Sequence, residues 1–76
     1  TTISIQIPKP DRTVIKVYDL QGREINTLLD SRLKSTTYQI TWKGNNTQGL
    51  SVASGVYFFQ IVSGNKKITR KMLLIR

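Results

Sequence analysis

Gly55-Val56-Tyr57-Phe58-Phe59-Gln60-Ile61-Val62 is the stretch that decides the fold. It is rich in aromatic and β-branched residues, has no helical periodicity and contains no breaker, which predicts a strand at the centre of a sheet. Successive side chains of a strand point to opposite faces. Tyr57, Phe59 and Ile61 therefore share one face, and we expect it to be the core side because Gln60 interrupts the other face.

Shorter segments in which polar and apolar residues alternate can pair with this stretch. Strands are predicted at residues 2–7, 13–18, 25–29, 37–43 and 67–75, with Leu50, Val52 and Ala53 as a short edge piece. The apolar sets are Ile3, Ile5 and Ile7; Thr13, Ile15 and Val17; Ile25, Thr27 and Leu29; Tyr38, Ile40 and Trp42; and Ile68, Met72 and Leu74. Trp42, the only tryptophan, is expected to be the largest contributor to the core. In the last strand both faces are partly apolar, and Met72 and Leu74 are favoured as its core residues.

Turn-forming residues separate these segments. Pro8 and Pro10 end the first strand because proline cannot donate to a ladder, and Asp11 and Arg12 continue that turn. Further turns or loops are predicted at residues 19–22, 30–36, 44–49 and 63–66. Six or seven short strands without a helical pattern predict an all-β fold, a small antiparallel β-sandwich.

Length and charge limit the class of protein. A chain of 76 residues forms at most one domain, and no apolar run reaches the length of a membrane helix. The chain opens with Thr1 rather than methionine and shows no signal peptide, so we expect it to be a piece excised from a longer protein.

The net charge of +8 favours anionic partners. The basic residues are scattered apart from one group, Lys66, Lys67, Arg70, Lys71 and Arg76. No aromatic residue interleaves with that group, so nucleic acid is not an expected partner.

The residue types that enzymes use are scarce. There is no Cys and no His, which removes thiol nucleophiles, the usual zinc sites and the usual general base. Asp11 and Asp19 lie in or beside turns, where Asp bonds its own backbone. Ser54 has no base to activate it. Asn45 and Asn46 lack a carboxylate beside them and would hold calcium weakly at best. We therefore expect no catalytic residue, no metal and no cofactor.

Four segments, taken in order, resemble one known family. They are VYDLQGREI at residues 17–25, YQITWKG at 38–44, QGLSVASGVYFF at 48–59 and TRKMLLIR at 69–76. The chain resembles the C-terminal sorting domain of type IX secretion cargo in Bacteroidetes and related bacteria. That domain is similar in turn to the Ig-like domain of the flagellar hook-cap protein. The pattern departs from the family at Thr36 and Lys43, both at strand or loop edges. The resemblance implies a single Ig-like sorting domain over residues 1–76.

The resemblance also implies a function that is not enzymatic. Such a domain directs a secreted or cell-surface enzyme or adhesin through the periplasm and outer membrane. The outer-membrane translocon recognises it, a sortase-like peptidase commonly removes it, and the cargo can be attached to anionic lipopolysaccharide. The segments that match the recognition regions are residues 55–61 and 71–76. The candidate recognition residues are Gly55, Tyr57, Lys71, Met72, Leu74 and Arg76.

Two other interpretations remain open from the sequence. The chain could be an Ig-like structural or spacer module of a larger extracellular enzyme or of a hook-cap-like protein. It could also bind an anionic polymer through its basic surface. In each case Tyr57 and Met72 also suit a purely structural role in the core. The open edges of a small sandwich favour self-association as well.

Overall fold

The computed structural model describes residues 1–76, which form six strands and no helix. The strands are β1 (Thr2–Gln6), β2 (Asp11–Asp19), β3 (Glu24–Leu33), β4 (Thr37–Thr41), β5 (Gly55–Ser63) and β6 (Lys66–Leu74). Every pair of neighbouring strands is antiparallel. The predicted all-β sandwich is confirmed, with six strands. No part of the chain forms an apolar helix of membrane-spanning length.

β5 lies inside the larger of two sheets, as its aromatic and β-branched composition predicts. The strand order of that sheet is β3-β2-β5-β6, and β1 and β4 form a separate two-stranded sheet. Tyr57, Phe59 and Ile61 are buried, whereas Phe58 and Gln60 on the opposite face are only partly covered. The face predicted to be the core side is therefore the core side.

The core consists of residues from both sheets and from the segments next to them. Its members are Ile5, Ile7, Ile15, Val17, Leu33, Trp42, Tyr57, Phe59, Ile61, Met72 and Leu74. Trp42 follows β4 and is 1% exposed, so the largest side chain of the molecule is a core residue, as predicted. Thr13 is buried beside them, and its hydroxyl shares a hydrogen bond of 3.0 Å with Ser63 Oγ. No buried polar side-chain atom lacks a partner.

Several predicted boundaries are wrong, including the end of β4, which is Thr41 rather than residue 43. Asp11 and Arg12 belong to β2 rather than to a turn, and β3 continues to Leu33 where the sequence predicts a loop from residue 30. Asp11 pairs with Leu33 and Arg12 with Arg32. Backbone groups form this ladder, so polar side chains at its end give no signal of it. The edge piece expected at residues 50–53 is reduced to one bridge, between Asn45 and Ser51.

The apolar set predicted for β3 is right for Ile25 and Leu29, which pack against the core, and wrong for Thr27, because β3 does not alternate regularly. The register between β2 and β3 shifts twice, and each shift leaves one β3 residue without a partner, Leu28 and Ile25. A bulge of this kind resets which side chains face inward. Thr27 is accordingly exposed, whereas Leu28 and Leu29 are adjacent and both partly buried.

Candidate recognition surface

The two segments proposed for recognition are neighbours in space. They lie on β5 and β6, which form a hairpin whose register pairs Gly55 with Leu74 and Tyr57 with Met72. The hairpin closes through Gly64 and Asn65, at the turn predicted from the sequence. One surface at the open end of this hairpin therefore contains residues from both segments.

Three of the six candidate residues have buried side chains. Tyr57, Met72 and Leu74 are between 7% and 9% exposed. Tyr57 stacks edge-on against Trp42, with ring centroids 5.0 Å apart, and its hydroxyl donates to the Ala53 carbonyl at 2.6 Å. These side chains fix the shape of the hairpin end, and they are not accessible to a partner in this conformation. Gly55 begins β5 and is partly buried, with open space around the position of a Cβ.

Lys71 is the candidate that is freely exposed. It lies on β6 opposite Phe58 and points away from the core. Leu73 and Ile75 continue the same outward row, at 59% and 78% exposed. The outer surface of the last strand thus combines one cation with two large apolar side chains, a combination that can bind a partner with both apolar and anionic groups.

Arg76 is exposed, but its side chain is engaged within the molecule. Its Nε donates to the Val52 carbonyl at 2.6 Å, its Nη2 donates to the Gly44 carbonyl, and its backbone N–H donates to Ser54 Oγ at 3.0 Å. These bonds attach the end of the chain to the 44–54 loop. The Gly44 carbonyl also accepts from the Val52 N–H at 3.0 Å within the loop. The Arg76 guanidinium thus fastens the chain end to the loop, and we call this contact the latch.

Gly44 is required where this latch closes. Its φ is +72°, a left-handed conformation that side chains disfavour, and a Cβ there would meet the Arg76 guanidinium and Leu74. The rest of the loop is held by Trp42, whose Nε1 donates to the Asn45 carbonyl at 2.8 Å. Asn26 of β3 donates from Nδ2 to the same carbonyl at 3.0 Å. The 44–54 loop therefore connects the β3 edge to the end of β6.

Charge is divided unevenly between the two halves of the larger sheet. Residues 11–33 contain all four acidic residues and four basic ones, Arg12, Lys16, Arg23 and Arg32, so this region is neutral. The remaining basic residues, 12 − 4 = 8, account for the whole net charge of +8. Four of them lie on β6, namely Lys66, Lys67, Arg70 and Lys71.

The acidic residues are used within the β2–β3 half. Glu24 Oε1 lies 2.9 Å from Lys16 Nζ, and Asp30 Oδ1 lies 2.6 Å from Arg12 Nη2. The hydrogen bond from Lys16 to Glu24 raises the pKa of that lysine. No ion pair includes a residue of β6. The cations of β6 consequently face solvent without a neutralising partner.

Asp19 is a structural carboxylate at the turn after β2. It accepts hydrogen bonds from the Gln21 N–H at 3.0 Å, the Arg23 N–H at 2.8 Å and the Arg23 Nε at 2.7 Å. Burial opposes its ionisation, but these bonds and the Arg23 charge outweigh burial and lower the pKa of Asp19. The prediction that turn Asp residues bond their own backbone holds here, and also at Asp11, which accepts from the Arg12 N–H at 2.8 Å.

No group of three or more His, Cys, Asp or Glu side chains could hold a metal ion. Three of the four carboxylates, those of Asp19, Glu24 and Asp30, form ion pairs with cations of the β2–β3 half. The Arg76 latch gives no signal in the sequence, because its acceptors are the backbone carbonyls of Gly44 and Val52.

The family model of the secretion system C-terminal sorting domain matches residues 1–75. The match spans all six strands and includes the four segments that resemble this family. It also includes five of the six candidate recognition residues and ends just before Arg76.

Two curated proteins are similar to the chain. They are the basal-body rod modification proteins FlgD of Salmonella typhimurium strain LT2 and of Salmonella typhi, each 29% identical over 66 residues. The similarity covers 86% of this chain and 28% of each relative, so the chain spans less than a third of the length of those proteins. No solved structure gives a significant match.

Proposed function

This chain belongs to the family of type IX secretion system C-terminal sorting domains, and we propose that it is the signal that commits its parent protein to that machinery. Domains of this family are in general non-catalytic parts of secreted or cell-surface proteins. The observation that carries the proposal is the family match over nearly the whole chain. In this proposal the domain catalyses no reaction. It functions as a binding module that the secretion machinery recognises.

The exposed end of the β5–β6 hairpin supports this function. Lys71 and Leu73 of β6 and Ile75 just after it form an outward row, while Tyr57 and Met72 hold β6 on the core. Exposed apolar side chains beside cations are typical of a binding surface. We propose that Lys71, Leu73 and Ile75 contact the translocon, and that the buried candidate residues act by positioning them.

The finer steps follow from the same proposal. The translocon at the outer membrane recognises the folded domain after passage through the periplasm, and a sortase-like peptidase then separates it from the parent enzyme or adhesin. The unpaired cations would also favour anionic lipopolysaccharide at the cell surface. The domain needs no metal or cofactor for either step.

Export of a reporter tests this function. The domain is fused to the C-terminus of a secretable reporter in a host that has the type IX machinery. Removing residues 71–76 should abolish export, although this deletion also removes the core residues Met72 and Leu74. The double substitution of Lys71→Glu and Leu73→Glu changes only exposed side chains and should reduce export while the domain stays folded.

The matched control places the same two substitutions elsewhere. Lys34→Glu and Leu50→Glu also change an exposed lysine and a leucine that is 63% exposed, but both lie outside the hairpin. This control should be exported normally. Normal export of both the deletion and the hairpin variant would refute the proposal.

A structural or spacer role is the second candidate, favoured by the similarity to the basal-body rod modification proteins of Salmonella. A spacer has no need of a particular terminal strand. It predicts that export of the parent protein is indifferent to Lys71→Glu and Leu73→Glu, and that further residues follow Arg76 in the parent gene.

A further inference from the structure

The outer edge of β6 carries backbone groups that bond to nothing in the molecule. Gly64 has a φ of +59°, and no residue other than glycine has a positive φ, so the two-residue loop Gly64-Asn65 is a type II′ turn. Its flanking residues, Ser63 and Lys66, form a hydrogen-bonded pair. Such pairs alternate along an antiparallel ladder, and the β5–β6 register runs without a shift to Gly55 and Leu74. Residues 67, 69, 71 and 73 therefore direct their N–H and C=O groups away from β5.

An apolar cleft opens beside this edge, between β1 and β6. Its volume is about 360 Å³. Its lining includes Ile5 from β1, Ile7 just after β1, Ile61 from β5 and Ile68 from β6. Ile68 shares a face with the core residues Met72 and Leu74, yet it is 47% exposed because no strand is paired with this edge of the sheet. The cleft has room for one or two apolar side chains of an added strand.

The charges around the edge restrict what can bind there. Lys66 and Arg70 line the cleft, and Lys67 and Lys71 lie on the outer face of the same strand. None of the four has an ion-pair partner. A second copy of this chain would place four cations against four cations along the two β6 edges, which is repulsive. A strand with acidic residues on its outer face would instead neutralise Lys67 and Lys71.

We infer that β6 binds an extended acidic segment of a partner protein as a fifth strand of the larger sheet. Its backbone bonds to residues 67, 69, 71 and 73, its alternate apolar side chains enter the cleft over Ile68, and its acidic side chains lie beside Lys67 and Lys71. Strand addition gives affinity through the backbone and specificity through alternate side chains. This inference rests on the proposed function, since it specifies the kind of partner segment that recognises the sorting domain.

A synthetic peptide provides the direct test. The probe is a nine-residue peptide, acetylated and amidated, in which valine and glutamate alternate. Added to the ¹⁵N-labelled domain, it should shift the amide resonances of β6 and of the cleft residues Ile5 and Ile7, and it should slow hydrogen exchange at residues 67, 69, 71 and 73. A peptide with lysine in place of glutamate should not bind. A peptide with all valines before all glutamates should bind more weakly, because it has lost the alternation.

Two variants of the domain separate the backbone contribution from the charge contribution. Thr69→Pro removes an outward N–H without removing a bond to β5, and Lys67→Glu with Lys71→Glu reverses the charge. Each should weaken binding of the valine–glutamate peptide about tenfold or more. The control Lys34→Glu with Lys43→Glu should bind as the wild type does, because both lysines lie outside β6. The amide spectrum of each variant shows that it is folded.

Three results would overturn the inference. They are no binding of the valine–glutamate peptide at millimolar concentration, equal binding of the lysine peptide, and resonance shifts confined to the free edge of β1. Shifts produced by vesicles of anionic lipid but not by the peptide would overturn it too. The reporter assay separates this failure from failure of the proposed function. If Lys71→Glu with Leu73→Glu blocks export but the peptide does not bind, the sorting function stands and the acidic-strand partner is wrong.

Discussion

The two outer strands of the four-stranded sheet, β3 and β6, are both edges but are constructed in opposite ways. β3 contains two bulges, and the 45–47 loop bonds to it, with the Thr47 N–H donating to the Ile25 carbonyl at 3.1 Å. Its acidic residues are paired with cations of β2. β6 pairs regularly with β5, carries four cations, and forms no hydrogen bond outside that ladder.

This difference teaches that an edge can be protected in two ways with different consequences. Bulges and a covering loop exclude any added strand, whatever its sequence. A row of lysines and arginines excludes a like-charged strand, including a second copy of the chain, but leaves the backbone available to an acidic one. The β3 edge is interrupted by its bulges and covered by the loop at Ile25 and Asn26, whereas the β6 edge is selective.

The largest effect should come from Trp42→Ala, because this residue supports the loop that closes the β3 edge. The side chain is 1% exposed and donates to Asn45. Its removal should lower the free energy of unfolding by about 3 to 5 kcal/mol, measured by urea denaturation. A loss below about 1 kcal/mol would mean that the core and the loop do not depend on it.

Two neighbouring proline substitutions on β6 should differ sharply. Ile68→Pro removes an N–H that bonds to β5 and should cost about 3 kcal/mol or more. Thr69→Pro removes an outward N–H and should cost about 1 kcal/mol or less, since proline is tolerated at a free edge. Urea denaturation of the two variants measures the difference. Equal losses would contradict the assignment of the free edge.

A smaller effect is expected at the other edge from Asn26→Ala. The Asn26 amide donates to the Asn45 carbonyl at 3.0 Å and joins β3 to the loop. Its loss should lower the free energy of unfolding by about 1 kcal/mol and speed hydrogen exchange in residues 24–33 only. Thr69→Ala on β6 is the matched control and should leave exchange in β3 unchanged.

The smallest expected effect is the loss of the stabilising contribution of Asp19 at acidic pH. Because the folded-state pKa of Asp19 lies below its usual value of 3.8, its ionisation stabilises the fold above that value, and this contribution is lost as the pH falls through the folded-state pKa. The difference in urea midpoint between wild type and Asp19→Asn should therefore be constant near neutral pH and narrow below pH 3.8. A difference that stays constant down to pH 2 would show that the carboxylate charge is not the cause.

Side-chain alternation predicted the regular parts of the fold and not the irregular ones. It identified β5 and its core face because Gln60 interrupts the face opposite Tyr57, Phe59 and Ile61, and these three residues are buried. It failed on β3, where two bulges interrupt the alternation, and on the polar ends of β2 and β3, where only backbone groups pair. Side-chain patterns do not indicate where a bulge occurs or where polar strand ends pair through their backbones.

The candidate surface was predictable only in part for the same reason. The sequence pointed to the two segments that meet in the β5–β6 hairpin and to Lys71 as an exposed cation. It did not reveal that Arg76 is bound by the carbonyls of Gly44 and Val52. It also could not show that Ile68 borders an open cleft, because that depends on which strands are absent from one side of the sandwich.

Amide hydrogen exchange of the isolated domain tests the central claim most directly. The account predicts alternation along β6, with residues 68, 70 and 72 protected by β5 and residues 67, 69, 71 and 73 exchanging at least about a hundredfold faster. Uniform protection along the strand would mean that its outer edge is already covered. Uniformly fast exchange would mean that β6 is not held on β5, and either result would contradict a selective open edge.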